Sequence, residues 1–241
     1  RPSIRSARLS VSPTRERKPC SAPIEPSTSA SARCTPWLIA LRLRSGALDV
    51  DAAFYSARLK GEFVAFAAAA NTPAPIFNAD RTRHRGVEFA ASARFANVFG
   101  ALSLAPRIAY AWNDFRFRDD AVFGGNRLAG LPVHIGRAEI AATWREVRVA
   151  PNVVFQSGEN FIDYANTLQA PGHSLLGVEA SYRVGERFTL FVDARNLTQE
   201  AYVASYSTLA DARIAPSLSV VTPGEGRALF LGVKAGLGGA P

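Results

Sequence analysis

From residue 46 onward the chain alternates apolar and polar side chains with a period of two, stretch after stretch. A strand sends successive side chains to opposite faces, whereas one helical face repeats every 3.6 residues. The alternation therefore commits this part of the chain to strands with one apolar face. In 187–196, Phe188, Leu190, Val192 and Ala194 oppose Thr189, Phe191, Asp193 and Arg195. In 173–184, Leu176, Val178, Ala180, Tyr182 and Val184 oppose Gly177, Glu179, Ser181 and Arg183. Val87, Phe89, Ala91, Ala93 and Phe95 oppose Glu88, Ser92 and Arg94. Ala138, Ile140, Ala142 and Trp144 oppose Arg137, Glu139, Thr143 and Arg145.

The pattern predicts about eight strands, at 47–67, 83–96, 101–117, 135–146, 148–160, 173–184, 187–203 and 225–237. Most are longer than the five or six residues usual in soluble sheets. Most reach the ~9–11 residues that cross a bilayer when tilted. Connections alternate too: short near 97–100, 146–148 and 185–186, long at 68–82, 118–134, 161–172 and 204–224. Short turns at one end and long loops at the other mark an outer-membrane barrel. The expected fold is all-β: a fragment of an antiparallel up-and-down transmembrane β-barrel, with the N-terminal ~45 residues irregular. A soluble β-sandwich also alternates, but with shorter strands and turns at both ends. Trp112, Trp144 and Tyr182, near strand ends, fit interfacial girdles, and ordinary packing would use the same rings.

Charge divides the chain at the same place. The formal net charge is +8, from 28 Lys+Arg against 20 Asp+Glu. Residues 1–45 hold nine of the basic groups and two of the acids, so +7 of the total lies there. Residues 46–241 are nearly neutral. The first segment also carries six of the 15 prolines and both cysteines, Cys20 and Cys34, without a sustained period. A basic arm for nucleic acid, a disordered linker and out-of-frame translation are its three readings. The first lacks the aromatic interleaving of single-strand binders. No apolar run approaches the ~18–20 residues of a spanning helix.

Catalytic and metal motifs are missing from the sequence. There is no G-x-S-x-G, no P-loop and no G-x-G-x-x-G after a strand. His84, His134 and His173 have no partner at metal-ligand spacing. Glu88, Glu139, Glu179 and Asp193 share faces with Arg94, Arg137, Arg183 and Arg195, which predicts cross-strand charge pairs in a wet lumen. No enzyme activity, cofactor or resident metal is expected.

Five stretches carry a resemblance. Asn78-Ala-Asp-Arg-Thr-Arg-His-Arg-Gly-Val-Glu88 resembles the loop-to-strand motif of TonB-dependent outer-membrane receptors. Gly125-Asn-Arg-Leu-Ala-Gly-Leu-Pro-Val-His134 and Ala170-Pro-Gly-His-Ser-Leu-Leu-Gly177 are similar to later elements of the same family. Phe188-Thr-Leu-Phe-Val-Asp-Ala-Arg-Asn-Leu-Thr198, followed by Tyr202, resembles its penultimate strand. Thr222-Pro-Gly-Glu-Gly-Arg227 resembles the start of its last strand. The resemblance covers about 46–241 and points to receptors for iron–siderophore or similar metal complexes.

It implies the bacterial outer membrane, a metal-chelate ligand, contact with outer-membrane lipid, and TonB engaged only through a plug segment that this chain lacks. It implies no nucleic-acid partner. It also implies that the chain is the C-terminal portion of a larger barrel and does not transport by itself. Members usually end on an aromatic residue, whereas this chain ends Leu237-Gly-Gly-Ala-Pro241. Ligand-contact candidates implied by the family's use of its long loops are Asp119, Asp120, His134, Asp163, Tyr164, His173, Tyr206, Asp211 and Arg213. A passive outer-membrane pore and a basic nucleic-acid-binding protein are the alternative functions. An upstream frame that joins alternating sequence at Ser45 would identify residues 1 to about 43 as out of frame.

Overall fold

The computed structural model describes residues 6–12, 33–68, 74–214 and 220–236. Its long strands are β1 (Ser6–Ser12), β2 (Arg33–Ser45), β3 (Leu48–Ala65), β4 (Ile76–Ala93), β5 (Phe95–Phe99), β6 (Leu102–Phe117), β7 (His134–Trp144) and β8 (Val147–Gln156). Two short strands follow, β9 (Asn160–Phe161) and β10 (Gln169–Ala170). Then come β11 (His173–Val184), β12 (Phe188–Arg195), β13 (Val203–Tyr206), β14 (Val221–Pro223) and β15 (Ala228–Ala235).

Eleven strands make one antiparallel sheet in the order β1-β2-β3-β4-β6-β7-β8-β11-β12-β15, with β5 also on β6. Each long strand pairs with its predecessor, which is the up-and-down order that the alternating connections predict. The two ends of the sheet do not meet, so the described residues form an open wall. All eight predicted strands are present. Arg145–Glu146 and Gly185–Arg187 make tight turns at one end. Gly185 has φ +60°, a conformation that a side chain disfavours.

Most ends shift by a few residues, and three differences from the sequence reading matter most. The sheet starts earlier than 47: β2 runs through Arg33–Ser45 and pairs along its whole length with β3. Leu41-Arg42-Leu43-Arg44 does alternate, and Arg42 and Arg44 pair with Asp51 and Asp49 across the register. The described residues of the segment expected to be irregular up to ~45 are thus strand, β1 pairing with β2 as well; residues 13–32 lie outside the described residues. β4 starts at Ile76 rather than 83, because β3 is long enough to pair with it as far as Ala65↔Ile76. The strand expected over 187–203 ends at Arg195. Asn196 breaks it at φ 48°. Its amide donates to the Glu200 and Glu225 carbonyls at 2.9 and 3.0 Å. Its Oδ1 accepts the Glu200 N–H at 2.8 Å. An asparagine tolerates this left-handed backbone and uses its side chain to hold the loop.

Register aligns the two faces across strands. Leu104, Ala142, Val149, Ala180, Val192 and Leu231 form one apolar row. Leu102, Trp144, Val147, Tyr182, Leu190 and Val233 form the next row toward the short turns. Toward the long loops, Ile39, Phe54, Val87, Trp112 and His134 line up. On β6, Leu102 to Trp112 is ten residue steps; at ~3.4 Å per residue and a tilt of about 40° this rises about 25 Å. That equals the apolar band of an outer-membrane barrel, with aromatic rings at both rims.

The buried core sits at the long-loop end of the sheet, where the ends of β3, β4 and β6 meet the loops. It lies under the long loops, where Val64, Ala79, Phe117, Leu128, Ala129 and Tyr164 cluster with Phe66, Phe77, Phe115, Phe123 and Phe161 packed against them. Among the described residues, no helix is long and apolar enough to cross a membrane, which says nothing of strands.

Candidate functional site

The concave polar face and the packed loops above it define the candidate site. Small side chains keep the face open: Ala40, Ala53, Ala90, Ala109 and Ala111 line a hollow of about 700 Å³ together with Arg42, Asp51, Glu88 and Arg137. The charges on this face pair both across strands and between neighbouring same-face positions of one strand. Glu139 lies 3.1 Å from Arg148 and 3.6 Å from Arg137. Glu179 lies 3.8 Å from Arg148 and 3.9 Å from Arg137. Asp193 pairs with Arg195 at 2.6 Å. This is the expected wet-lumen pattern, with Arg148 added. Its position on β8 opposite Ser181 and Thr143 shows its face only once the register is known. Among the described residues, Glu88, Arg94 and Arg183 make no such pair.

Nearer the loops the face turns aromatic. The His84 ring stacks on Phe115 with centroids 4.3 Å apart. His84 Nε2 lies 3.1 Å from Glu62, whose carboxylate also accepts the Thr82 hydroxyl. Tyr55 packs edge-on against Phe115 and donates its hydroxyl to Asn113 Oδ1 at 2.8 Å. A backbone turn at Gly61, φ +75°, brings Glu62 back toward these groups. Sequence reasoning missed Glu62, Tyr55 and Asn113. Their only signal was position near strand ends, which does not specify a face across a bulge.

The nine expected contact residues do not converge on one point. Asp163, Tyr164, Asp211 and Arg213 come together in the loop cap. Asp163 is fully buried. Its carboxylate accepts the Thr167, Leu168 and Ala212 N–H groups at 2.8, 2.9 and 3.1 Å, and the Thr167 hydroxyl at 2.5 Å. Tyr164 is buried and donates its hydroxyl to the Ala65 carbonyl at 3.0 Å. Burial pushes that phenol up to about 12. In this structure, then, Asp163 and Tyr164 organise the loops. Asp211 pairs with exposed Arg213 at 2.7 Å, which holds its carboxyl below the usual range. Tyr206 donates to Asn160 Oδ1 at 2.6 Å, and burial raises its phenol.

The others are elsewhere. Asp120 accepts the Val122 and Phe123 N–H groups, each at 2.9 Å, closing a tight turn. Asp119 is exposed with φ 55°. His134 sits on the apolar-face row beside Trp112, with Nδ1 2.7 Å from the Tyr110 hydroxyl. His173 lies against Tyr202, centroids 4.8 Å apart. Among the described residues, no group of three or more His, Cys, Asp or Glu could hold a metal ion.

Comparisons with known proteins agree with this geometry. The family described as "TonB dependent receptor-like, beta-barrel" matches residues 37–197. The siderophore receptor PiuA from Acinetobacter baumannii superposes with a TM-score of 0.67 at 16% identity, over 85% of this chain and 28% of its own. The ferric citrate transporter FecA, unliganded, gives 0.66 at 20% identity, over 85% and 31%. The ferric yersiniabactin uptake receptor FyuA from Yersinia pestis gives 0.63 at 19% identity, over 85% and 29%. The chain thus spans less than a third of the length of each of these structures.

Proposed function

The chain belongs to the TonB-dependent receptor-like β-barrel family, and on that premise we propose that it forms part of the wall and loop cap of a receptor that takes up iron–siderophore or similar metal complexes. The family is one of bacterial outer-membrane barrels, not of enzymes. The observation that carries the proposal is the division of the sheet into an apolar outer face and a charge-paired, alanine-lined inner face roofed by packed loops. Such a wall presents polar groups and aromatic rings to a large hydrated cargo, and apolar rows to lipid. The structures it resembles are named for ferric citrate, ferric yersiniabactin and siderophores, which supports a metal chelate as the ligand. Asp119, Asp120, His173, Tyr206, Asp211 and Arg213 are the proposed loop contacts, with Asp163 and Tyr164 holding loops; His134, on the outward row beside Trp112, is not kept among them.

By itself this stretch is proposed to bind without transporting, since it spans less than a third of the length of the receptors it resembles. Residues 1 to about 43 were expected to come from another reading frame; the pairing of β2 with β3 and the family match from residue 37 support keeping that proposal only for the residues before β2. Translating the upstream DNA in the other two frames tests this, and no alternating sequence in either sinks it. For function, the chain is expressed in a strain without its own ferric-chelate receptors. The expected result is chain in the outer-membrane fraction, quenching of its three tryptophans by a ferric chelate, and no growth on that chelate. Growth rescued by this chain overturns the non-transporting reading. Ion conductance in a planar bilayer, with no chelate quenching, turns the reading into a passive pore.

A further inference from the structure

Two prolines flank the middle of β7. Pro106 on β6 stands opposite Ile140. On the other side, the pairs Glu139↔Asn152 and Ala142↔Val149 put Ile140 opposite Pro151 of β8, and the rungs Ile140–Pro151 and Ala141–Ala150 between them are missing. The ladders on either side, β6–β7 and β8–β11, run through these positions without a gap. Proline has no N–H to donate. Pro151 keeps its rung with Val178 on β11, so the donor it lacks is the one that would face the Ile140 carbonyl. Ile140 points outward inside the apolar band, four residues from Trp144 and six from His134. Lipid there offers no hydrogen bond in place of the missing one.

Charges close over this gap from the lumen side. Glu139 and Arg148 both point inward, Glu139 opposite Asn152 and Arg148 opposite Thr143, one on each side of the missing rungs. Their 3.1 Å contact therefore runs diagonally from β7 to β8 across Ala141 and Ala150. Both alanines are buried, and so is Glu139. Arg148 also lies 3.8 Å from Glu179 on β11. Arg137 on β7 reaches the same Glu179 across the full width of β8, at 3.9 Å. A charge-assisted hydrogen bond between side chains thus joins the two strands where a backbone bond is missing.

We propose that this is a clasped seam: β7 and β8 part at Ile140–Pro151 while the rest of the wall stays paired, and Arg148 on Glu139 holds them shut from the lumen. Position makes the clasp responsive. Glu139 is buried, but the Arg148 side chain is 34% exposed and so open to the lumen. A polycarboxylate anion there competes with Glu139 for the guanidinium, which binds carboxylates bidentately. Drawing Arg148 away opens the seam, so an anionic cargo loosens the wall that it passes. The inference rests on the reading of this face as the lumen side of a chelate receptor, and deepens it by giving the wall a response to its cargo.

The test uses the full chain refolded into lipid vesicles. Insertion is read first, from protease protection of the strands; a chain that fails to insert defeats the barrel reading and this inference together. Amide hydrogen exchange of the inserted chain is then followed residue by residue. Ile140, Ala142 and Val149 are expected to exchange faster than Val178 and Val192 in the neighbouring strands. Arg148→Gln speeds those three at least about tenfold, as loss of a charge-assisted hydrogen bond implies, and leaves β11 and β12 unchanged. Pro151→Val restores the missing donor, slows the seam amides and leaves Arg148→Gln without effect on them. Ferric citrate speeds the seam in the native chain, whereas sodium chloride at equal ionic strength does not. An inserted native chain whose seam exchanges no faster than β11 and β12 overturns the proposal, even if the variants fold poorly. An equal effect of Arg148→Gln with and without Pro151→Val also overturns it, because a general loss of stability gives that result. No response to ferric citrate overturns the coupling to cargo.

Discussion

Ile140 on the sheet and Phe117 under the loops are both large apolar side chains, yet Ile140 is 53% exposed and Phe117 0%. The two regions use apolar residues for opposite ends. The sheet leaves them outward, rank after rank, and relies on the backbone ladder for its order. The loop cap gathers Phe77, Phe117, Phe123 and Tyr164 with ring centroids 5.0–6.3 Å apart, as the core of a water-soluble protein would. The difference teaches where each solvent is. Lipid supplies the second layer that the sheet lacks, and the loops, standing in water, must bury their own.

Substitutions can break this comparison. The largest effect is expected for Phe117→Ala, about 3–5 kcal/mol of destabilisation, since the surrounding rings cannot collapse into the space. Urea unfolding of the micelle-bound chain measures it, and a loss below about 1 kcal/mol would deny that the cap is a packed core. Next comes Ile140→Arg in the middle of the apolar band, about 2–4 kcal/mol in vesicles. Ala111→Arg, on the other face and opposite Glu88, is expected to cost far less. Equal costs would mean that the faces have been assigned the wrong way round.

A smaller loss, about 1–3 kcal/mol, is expected for Asp163→Asn, which leaves loop N–H groups short of an acceptor. Hydrogen exchange should then quicken at Thr167, Leu168 and Ala212 while the sheet amides stay protected. Faster exchange spread evenly over both regions would instead join them into one cooperative unit. The smallest effect belongs to the Asp211–Arg213 pair on the loop surface. Arg213 lowers the folded pKa of Asp211, so its contribution is present above the ordinary carboxylate pKa and fades as pH falls through the folded value. Arg213→Ala should return the Asp211 titration, followed by NMR, to the ordinary range; no change would show that the ion pair is not what lowers it.

Much of the fold was legible in the residues. Val192 and Leu231 could be placed outward, and Glu139 and Glu179 inward, by counting in twos. The lumen pairs followed from charge alternation, but their actual partners did not. Arg148 serves both glutamates because β8 lies between β7 and β11, and that is a fact of pairing order. Arg81 and Arg83 were visible as alternating positions. Their confrontation with Arg58, Lys60 and Arg116 needed the register. Asp163 looked like an open loop carboxylate, since nothing local distinguishes an exposed aspartate from one that accepts N–H groups from residue 212.

The sequence by itself determined that this chain makes long one-sided strands, joined alternately by tight turns and long loops, because a period of two has no other use in a half-buried backbone. It also determined the family, through motifs whose spacing the strands preserve. Only the tertiary structure decided that β2 joins the wall, that the loops share an aromatic core, and that basic residues of three strands stand in one row. Those outcomes depend on which strands lie side by side and in what register, and contacts between residues far apart in the chain leave no local period to read.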